Sequence, residues 1–229
     1  MSTLDESFPA LLAALTEHYG QPAGLPSAEP FLAVAAAVLA SDPTPNEVAR
    51  ARVALADADL LDPASLAAAD LIGADDLLRE NRFRLTRKSI AGLQRVARWL
   101  VEAHHGDPGA LDARPTETLR HELAALNGIG RATADALLLY ALRRPVYPLD
   151  RATYRVFVRH GWLDPSSDDQ DARATVERPL GNDPAGLARF KAHMAEIGRE
   201  FCRAQAPRCE RCPLRPWLPD GGPVEPDQD

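Results

Sequence analysis

The stretch that decides the fold is LNGIGRATA, at residues 126–134. Two glycines flank the apolar Ile129, and apolar residues at helical spacing continue on both sides of the segment. Glycine permits positive φ angles and a close approach of another backbone. We therefore predict two helices joined by Asn127–Gly130, with Ile129 anchored inward and free N–H groups at the start of the second helix. Such a helix start binds phosphate groups, although a plain turn with a glycine cap explains the segment equally well.

Leucine and alanine at helical spacing dominate the rest of the chain, and no segment alternates with the period of a strand. The sequence therefore predicts an all-α protein. The predicted helices are Phe8–Tyr19, Phe31–Leu39, Asn46–Ala56, Pro63–Ala68, Asp75–Asn81, Thr86–His104, Thr116–Leu126, Arg131–Leu142, Arg151–His160 and one within Gly181–Cys202. We expect two packed helical subdomains. A central helical barrel over 25–142 contains the hairpin, residues 1–24 and 143–216 form the second subdomain, and 217–229 is a disordered tail.

The charge balance argues at first against a protein that binds nucleic acid. The 229 residues include 26 basic and 33 acidic side chains, a net charge of −7, whereas nucleic-acid-binding surfaces are usually basic. However, Arg79–Arg98 contains seven basic residues and the single acid Glu80, and a local basic face attracts a polyanion. The acidic N-terminus is not a signal peptide, and no segment reaches the ~20 apolar residues of a membrane helix.

A second motif follows the hairpin at PLD, residues 148–150, directly before a predicted helix that begins at Arg151. Together the two motifs resemble the helix–hairpin–helix base-excision DNA glycosylases, the endonuclease III superfamily. The pattern of that family is L-x-G-[IV]-G, a helix, a proline-containing loop and an aspartate that opens the next helix. Residues 134–142 are most similar to the monofunctional branch, and the resemblance extends from about Pro30 to Leu214.

The resemblance implies that Asp150 is the catalytic carboxylate. Cleavage of an N-glycosidic bond builds positive charge on the deoxyribose, and a fixed carboxylate stabilises this charge and orients the attacking water. Backbone N–H groups at the start of the helix would keep Asp150 ionised. The alternative is an aspartate that only caps the helix.

A lysine that attacks the sugar follows the hairpin in bifunctional members of the family. This chain has Ala132 at that position, and a methyl group cannot form a Schiff base. The two lysines, Lys88 and Lys191, match no nucleophile position of the family. We therefore predict a DNA N-glycosylase that flips a damaged base and removes it by hydrolysis, without lyase activity. The alternatives are a catalytically inactive DNA-binding protein and a glycosylase with residual lyase activity.

The resemblance also implies a set of DNA contacts around the hairpin. The predicted DNA-binding residues are Gly128, Ile129, Gly130, Arg131, Thr133, Phe83, Arg82, Arg84 and Arg151. Phe83 falls near the intercalating leucine of the family, so it is either a wedge that fills the gap left by the flipped base or a core residue. Asp42 falls where a gap-filling glutamine usually sits, but a turn before Pro43 is the better interpretation. The implied partners are damaged double-stranded DNA and a monovalent cation at the hairpin, for a monomeric protein of the cytoplasm and nucleoid that contacts no membrane.

The three cysteines have the spacing Cys202-x6-Cys209-x2-Cys212. An odd number of clustered cysteines favours metal or cluster chemistry over disulfides. The resemblance implies a [4Fe–4S] cluster, but Leu218 stands where the fourth cysteine is expected, and cluster ligation normally uses four thiolates. A cluster with another fourth ligand, a zinc-like site, a degenerate site and three metal-free cysteines all stay open.

Overall fold

The structure is a computed structural model that describes residues 4–224. The described residues form eleven α-helices and three short 3₁₀ helices, and they contain no strand. The α-helices are α1 (Leu4–Tyr19), α2 (Phe31–Leu39), α3 (Pro45–Asp57), α4 (Pro63–Ala68), α5 (Leu71–Glu80), α6 (Arg87–His104), α7 (Thr116–Ala125), α8 (Arg131–Tyr140), α9 (Arg151–Arg159), α10 (Asp169–Leu180) and α11 (Pro184–Glu200). The 3₁₀ helices are Pro108–Leu111, Cys209–Arg211 and Arg215–Trp217. The prediction of an all-α protein is confirmed. None of the described helices is long and apolar enough to cross a membrane.

The chain divides into two compact units. One is Gly24–Arg144, and the other consists of the described residues of Met1–Ala23 and Pro145–Asp229. The sequence prediction placed its first subdomain at 25–142. The hairpin belongs to the first unit, whereas Asp150 and the cysteines belong to the second.

Helix α2 forms the centre of the unit Gly24–Arg144. Because its sequence is apolar on every side, all eight residues of Phe31–Val38 are buried. Helices α3, α6 and α8 pack against α2, while α4 and α5 pack on α6, and α7 packs on α8. The hairpin between α7 and α8 is therefore carried by a helix that contacts the core of its unit.

An aromatic cluster organises the other unit, in which α9 packs against α11 and α10 packs against both α1 and α11. The ring of Phe190 on α11 lies 5.1 Å from Phe8, 6.0 Å from Tyr147 and 6.3 Å from Phe157, measured between ring centroids. Tyr147 precedes α9 and Phe157 belongs to it. These contacts hold the beginning of α9 against α11.

Gly198 lets α9 and α11 approach closely. A Cβ added to Gly198 would lie 2.6 Å from the Cβ of Ala152, in the first turn of α9. That distance is well inside ordinary carbon–carbon contact, so the hydrogen side chain of glycine is needed there. The first turn of α9 and the residue that caps it are thereby held near α11.

Helix α10 is the element that the sequence analysis did not predict. The Asp168 side chain caps it by accepting the N–H groups of Gln170 and Asp171, at 2.8 and 2.9 Å. Its buried face is short, because it consists of Ala172, Arg173 and Val176. An acidic, mostly exposed helix of this kind has too few apolar positions to show a clear period.

The structure describes the first part of the predicted tail, residues 217–224. Residues 217–224 follow a defined path of turns after the 3₁₀ helix Arg215–Trp217. The N–H of Val224 donates to the carbonyl of Arg159 at 3.0 Å, which ties this segment to the end of α9. Residues 225–229, the rest of the predicted tail, lie outside the described residues.

Candidate active site and nucleic-acid interface

The hairpin between α7 and α8 is a tight turn with a buried anchor. Gly128 has a φ of 84°, in the left-handed region that favours glycine. Ile129 is 2% exposed, and its N–H donates to the carbonyl of Leu126 at 2.9 Å. The side chain of Ile129 therefore points inward, as the sequence predicted, and any contact it makes with DNA is through its backbone.

The start of α8 has the features of an anion site. Gly130 caps the helix without a side-chain hydrogen bond. The first hydrogen bond within the helix joins the Ala134 N–H to the Gly130 carbonyl at 2.9 Å. The N–H groups of Arg131, Ala132 and Thr133 come before this bond and have no carbonyl one turn earlier to accept them. They form the positive end of the helix, which is where phosphate oxygens bind in proteins.

Arg95 braces the hairpin from α6, and the sequence analysis did not assign it this role. Its Nη1 donates to the carbonyl of Asn127 at 2.7 Å. A Cβ added to Gly128 would lie 3.2 Å from the same nitrogen. Because the two segments are far apart in sequence, only the packing of α6 beside the hairpin reveals the contact.

Asp150 is the N-cap of α9. Its Oδ1 accepts the N–H of Thr153 at 2.8 Å. Thr153 is itself fully buried, and its hydroxyl forms a hydrogen bond of 2.9 Å with the hydroxyl of Tyr147. The carboxylate is thereby held by the helix start and by a buried polar contact beneath it.

Lys191 of α11 forms an ion pair with Asp150. Its Nζ donates to Oδ2 of the carboxylate, and the side chains of Lys191 and Asp150 are 17% and 38% exposed. Burial alone would raise the pKa of the Asp150 carboxyl. The Lys191 ammonium and the Thr153 N–H outweigh burial and hold that pKa below its ordinary value. Asp150 is therefore a carboxylate at neutral pH.

From the sequence alone Lys191 has no assigned role, because it matches no nucleophile position of the resembled family. The structure brings it onto Asp150 through the packing of α9 on α11. No spacing rule in the sequence predicts this pair, since the two residues lie on different helices. The sequence feature that could have indicated the pair is the position of Lys191 on a predicted helix whose apolar face packs inward.

The predicted arginine contacts are all available at the surface. Arg82 and Arg84 are exposed in the segment that connects α5 to α6. Arg131 and Arg151 are exposed in the first turns of α8 and α9. Each can bind a phosphate oxygen without rearrangement of the core.

Phe83 is not a wedge in this structure. It is 1% exposed, and its N–H donates to the Leu78 carbonyl at 2.8 Å. A side chain that fills a gap in a duplex has to project from the surface, so the burial of Phe83 favours its interpretation as a core residue. Asp42 forms the turn that the sequence favoured, because its Oδ1 accepts the N–H of Thr44 at 3.3 Å.

The three thiols line one pocket near the C-terminus. The pocket is lined by Arg159, His160, Phe201, Cys202, Cys209, Cys212, Arg215 and Leu218. Burial raises the pKa of the Cys212 thiol to about 11, and the neighbouring Cys202 and Cys209 add to the shift. Arg159 donates from Nη1 to the sulfur of Cys202 at 3.5 Å.

These residues do not fit a four-thiolate cluster. Leu218 faces the pocket at the position of the missing fourth cysteine, and its side chain offers no ligand atom. Among residues 4–224, no three histidine, cysteine, aspartate or glutamate side chains lie close enough to hold a metal ion. We therefore derive no chemical step through an iron–sulfur cluster.

Comparisons with known proteins agree with the fold and the two motifs. No family model matches the chain. The chain is 30% identical over 203 residues to the putative DNA repair glycosylase MJ1434 of Methanocaldococcus jannaschii. The aligned region covers 88% of this chain and 90% of that protein. It is 29% identical over 153 residues to endonuclease III of Thermotoga maritima, 67% of this chain and 66% of that protein. A solved structure of a trapped endonuclease III–DNA covalent intermediate superposes with a TM-score of 0.67 at 21% identity, over 96% of this chain and 98% of that chain.

The helical fold, the hairpin and these relatives define a DNA glycosylase. The structural likeness supports the fold, and the sequence relatives support the activity. The chain belongs to the endonuclease III-like, helix–hairpin–helix superfamily, and it is a DNA N-glycosylase of DNA repair.

Proposed function

We propose that this glycosylase hydrolyses the bond between a damaged base and deoxyribose in duplex DNA and leaves an abasic site. The observation that carries the proposal is Asp150, a carboxylate fixed at the start of α9 and ion-paired with Lys191. As the base departs, positive charge builds on the sugar ring. A fixed negative charge beside the ring stabilises that transition state more than the ground state.

Asp150 also has capacity to orient the attacking water. The carboxylate accepts hydrogen bonds from Thr153, through both its backbone N–H and its side chain, and from Nζ of Lys191. Each oxygen of an ionised carboxylate has two acceptor sites, so a water can bind to a remaining site. Orientation and proton removal by such a group contribute roughly 10²–10⁴-fold to a rate.

Hydrolysis without strand cleavage follows from Ala132. This residue is exposed in the first turn of α8, where bifunctional relatives of the resembled family carry the lysine nucleophile. A methyl group forms no covalent intermediate with the sugar. The abasic site is then the product of the reaction and not an intermediate on the way to a strand break.

The hairpin supplies the grip on DNA in this proposal. The N–H groups at the start of α8 and the guanidinium of Arg131 bind one phosphate segment, and Arg82, Arg84 and Arg151 bind others. Contacts of this kind do not read base sequence, which suits an enzyme that searches for damage. Extrusion of the target base costs a few kcal/mol, and least for a base whose pairing is already weak.

We assign alkylated purines as the first substrate class. The side chain of Ala132 is smaller than the lysine of bifunctional relatives, and a purine with an added ring or methyl group is larger than an ordinary base. Oxidised pyrimidines and mismatched bases are the next classes.

A panel of lesions tests the proposal. Duplexes that contain ethenoadenine, thymine glycol or a G·T mismatch are incubated with the protein, and half of each sample is then heated in alkali. We expect strand breaks at ethenoadenine in the alkali-treated half alone. Asp150→Asn is expected to lower the rate by more than about a hundredfold with unchanged binding to the duplex.

Two other results decide against the proposal. If no lesion in a broad panel is released while duplex binding persists, the protein is an inactive DNA-binding member of the superfamily. If strands break without alkali and borohydride links the protein to abasic DNA, the enzyme has lyase activity and the role of Ala132 is misassigned.

A further inference from the structure

Both oxygens of the Asp150 carboxylate are held by donors from different helices. Oδ1 accepts the Thr153 N–H in the first turn of α9, at 2.8 Å, and Oδ2 accepts Nζ of Lys191 on α11. A carboxylate that merely caps a helix needs only the first of these bonds. The second bond has no role in helix capping, and it fixes the torsion of the carboxylate as well as its position.

The surroundings make the ion pair more than a surface contact. The Lys191 side chain is 17% exposed, so its ammonium has given up much of its hydration. Removing Lys191 leaves the Asp150 carboxylate, whose side chain is 38% exposed, with water and Thr153 as its remaining partners. The close approach at Gly198, with Ala152 opposite, sets how far α11 stands from Asp150.

We propose that Lys191 is a positioning residue of the glycosylase site: its ammonium fixes the orientation of the Asp150 carboxylate and keeps it charged while the base leaves. The inference rests on the proposed function, because it gives Lys191 a role in the same hydrolysis. It also adds a residue that the family pattern at Ala132 and Asp150 does not contain.

The observed pairing favours the positioning role over that of an amine nucleophile. A protonated amine has no free lone pair, and attack on a sugar carbon requires that lone pair. An ammonium that donates to a carboxylate is therefore not a nucleophile. Proton transfer from Lys191 to Asp150 would also remove the negative charge that stabilises the transition state. Asp150 cannot both accept the Lys191 proton and keep the negative charge that stabilises the transition state. The ion pair therefore favours hydrolysis by water.

Two other charged groups on these helices have partners of their own. On α9, Arg155 donates from Nε to the carbonyl of Cys202 at 2.8 Å, and from Nη1 to the carbonyl of Arg151. On α11, Arg189 pairs with Asp183 at 3.5 Å. Lys191 is the charged group of α11 that lowers the pKa of the Asp150 carboxyl.

Three variants test the inference. Lys191→Met keeps most of the side-chain volume and removes the charge, whereas Lys191→Arg keeps the charge. Arg189→Met is the matched control, because it removes a positive charge from the same helix without touching Asp150. Each protein is compared with wild type by a carbon-13 titration of the Asp150 carboxyl, with Asp150→Asn used to assign the signal.

We expect the pKa of Asp150 to rise by about one unit or more in Lys191→Met, as for the loss of a close opposite charge. Lys191→Arg and Arg189→Met should leave it near the wild-type value. The single-turnover excision rate should fall about tenfold in Lys191→Met and recover in Lys191→Arg. The acid limb of the pH–rate profile of Lys191→Met should move to higher pH. The active form of Asp150 is the carboxylate, and the pKa of Asp150 is higher in this variant.

Two results would overturn the inference. The first is an Asp150 titration that is the same in wild type and Lys191→Met. The second is borohydride trapping of wild type on abasic DNA that disappears in Lys191→Met, which would make Lys191 the nucleophile. The titration needs no DNA substrate, so it judges the role of Lys191 even if the lesion panel shows no base release and the proposed function fails.

Discussion

Arg120 on α7 and Asp135 on α8 form a buried ion pair inside the helix–hairpin–helix motif. Nε of Arg120 donates to Oδ1 of Asp135 at 2.6 Å, and the two side chains are 7% and 1% exposed. Glu117 contacts the same guanidinium from the preceding turn of α7. This pair ties the two helices together on the inner side of the motif, while the hairpin joins them at its tip.

The first prediction concerns that pair. Asp135→Ala removes the buried partner of the Arg120 guanidinium and leaves the exposed Glu117 beside it. We therefore expect the free energy of unfolding to fall by about 3 kcal/mol. Urea denaturation measures the change. Asp5→Ala breaks the exposed pair with Arg178 and should cost at most ~1 kcal/mol. Equal losses in the two variants would show that the Arg120–Asp135 pair does not brace the motif.

The second prediction concerns the backbone of the hairpin. Gly128→Ala places a side chain at a φ of 84° and within 3.2 Å of the Arg95 guanidinium. We expect a loss of about 1–2 kcal/mol in the free energy of unfolding and weaker binding to duplex DNA, because the brace on Asn127 is displaced. Thermal denaturation and a binding titration at fixed salt measure the two effects.

Gly130→Ala is the stability control for this variant. Gly130 has a φ of −76°, and a Cβ there would meet no atom within 4 Å. The free energy of unfolding should change by no more than ~0.5 kcal/mol. If Gly130→Ala proved as damaging as Gly128→Ala, the left-handed conformation would not be the cause.

The third prediction concerns stability in acid. His160 and His193 are 7% and 2% exposed, and burial lowers the pKa of both. In the unfolded chain a histidine titrates near a pKa of about 6.5. Below that pH the unfolded state binds more protons than the folded state, so the free energy of unfolding should fall as the pH decreases from about 6.5.

Urea denaturation over a pH series in His193→Gln measures the effect. The variant should lose part of the acid-dependent fall, whatever its stability at neutral pH. His121→Gln, which changes an exposed side chain, is the matched control. A slope that is unchanged in His193→Gln would assign the acid sensitivity to other groups.

The fourth prediction concerns the thiols. Because burial raises the pKa of Cys212 to about 11, only ~0.1% of it is thiolate at pH 8. We expect slow reaction of Cys212 with a thiol reagent at this pH and a steep increase in rate as the pH is raised. Mass spectrometry of the alkylated peptide, with Cys212→Ser as a blank, follows the reaction. Fast labelling near neutral pH would contradict the assigned pKa.

Local motifs were predictable from the sequence because their determinants lie next to each other. Phe31–Leu39 is apolar all round and has the predicted bounds. The helix after Asp150 begins where the sequence placed it, since an aspartate that caps the following turn is a local signal. The hairpin likewise follows from its glycines and Ile129. The catalytic role of Asp150 stays a prediction until the lesion panel is done.

The remaining features depend on contacts between distant segments. The Lys191–Asp150 pair needs the packing of α9 on α11, which no local pattern specifies. The sequence could not decide between a wedge and a core residue for Phe83, because its position between two arginines is typical of a DNA contact. The structure buries the Phe83 side chain between the exposed Arg82 and Arg84. Helix α10 was not predicted because most of its residues are polar or charged, so its few apolar residues show no clear helical period.

The contact of Gly198 with Ala152 has a consequence for how this enzyme can change. Asp150 lies two positions before Ala152 in the chain. Because Gly198 has no Cβ, α11 can pack close to Ala152 and so to Asp150. Any larger residue at 198 would act as a spacer and wedge the two helices apart. A substitution at 198 is therefore expected to move the Asp150 carboxylate relative to α11, and so to alter the excision rate through the packing of two helices.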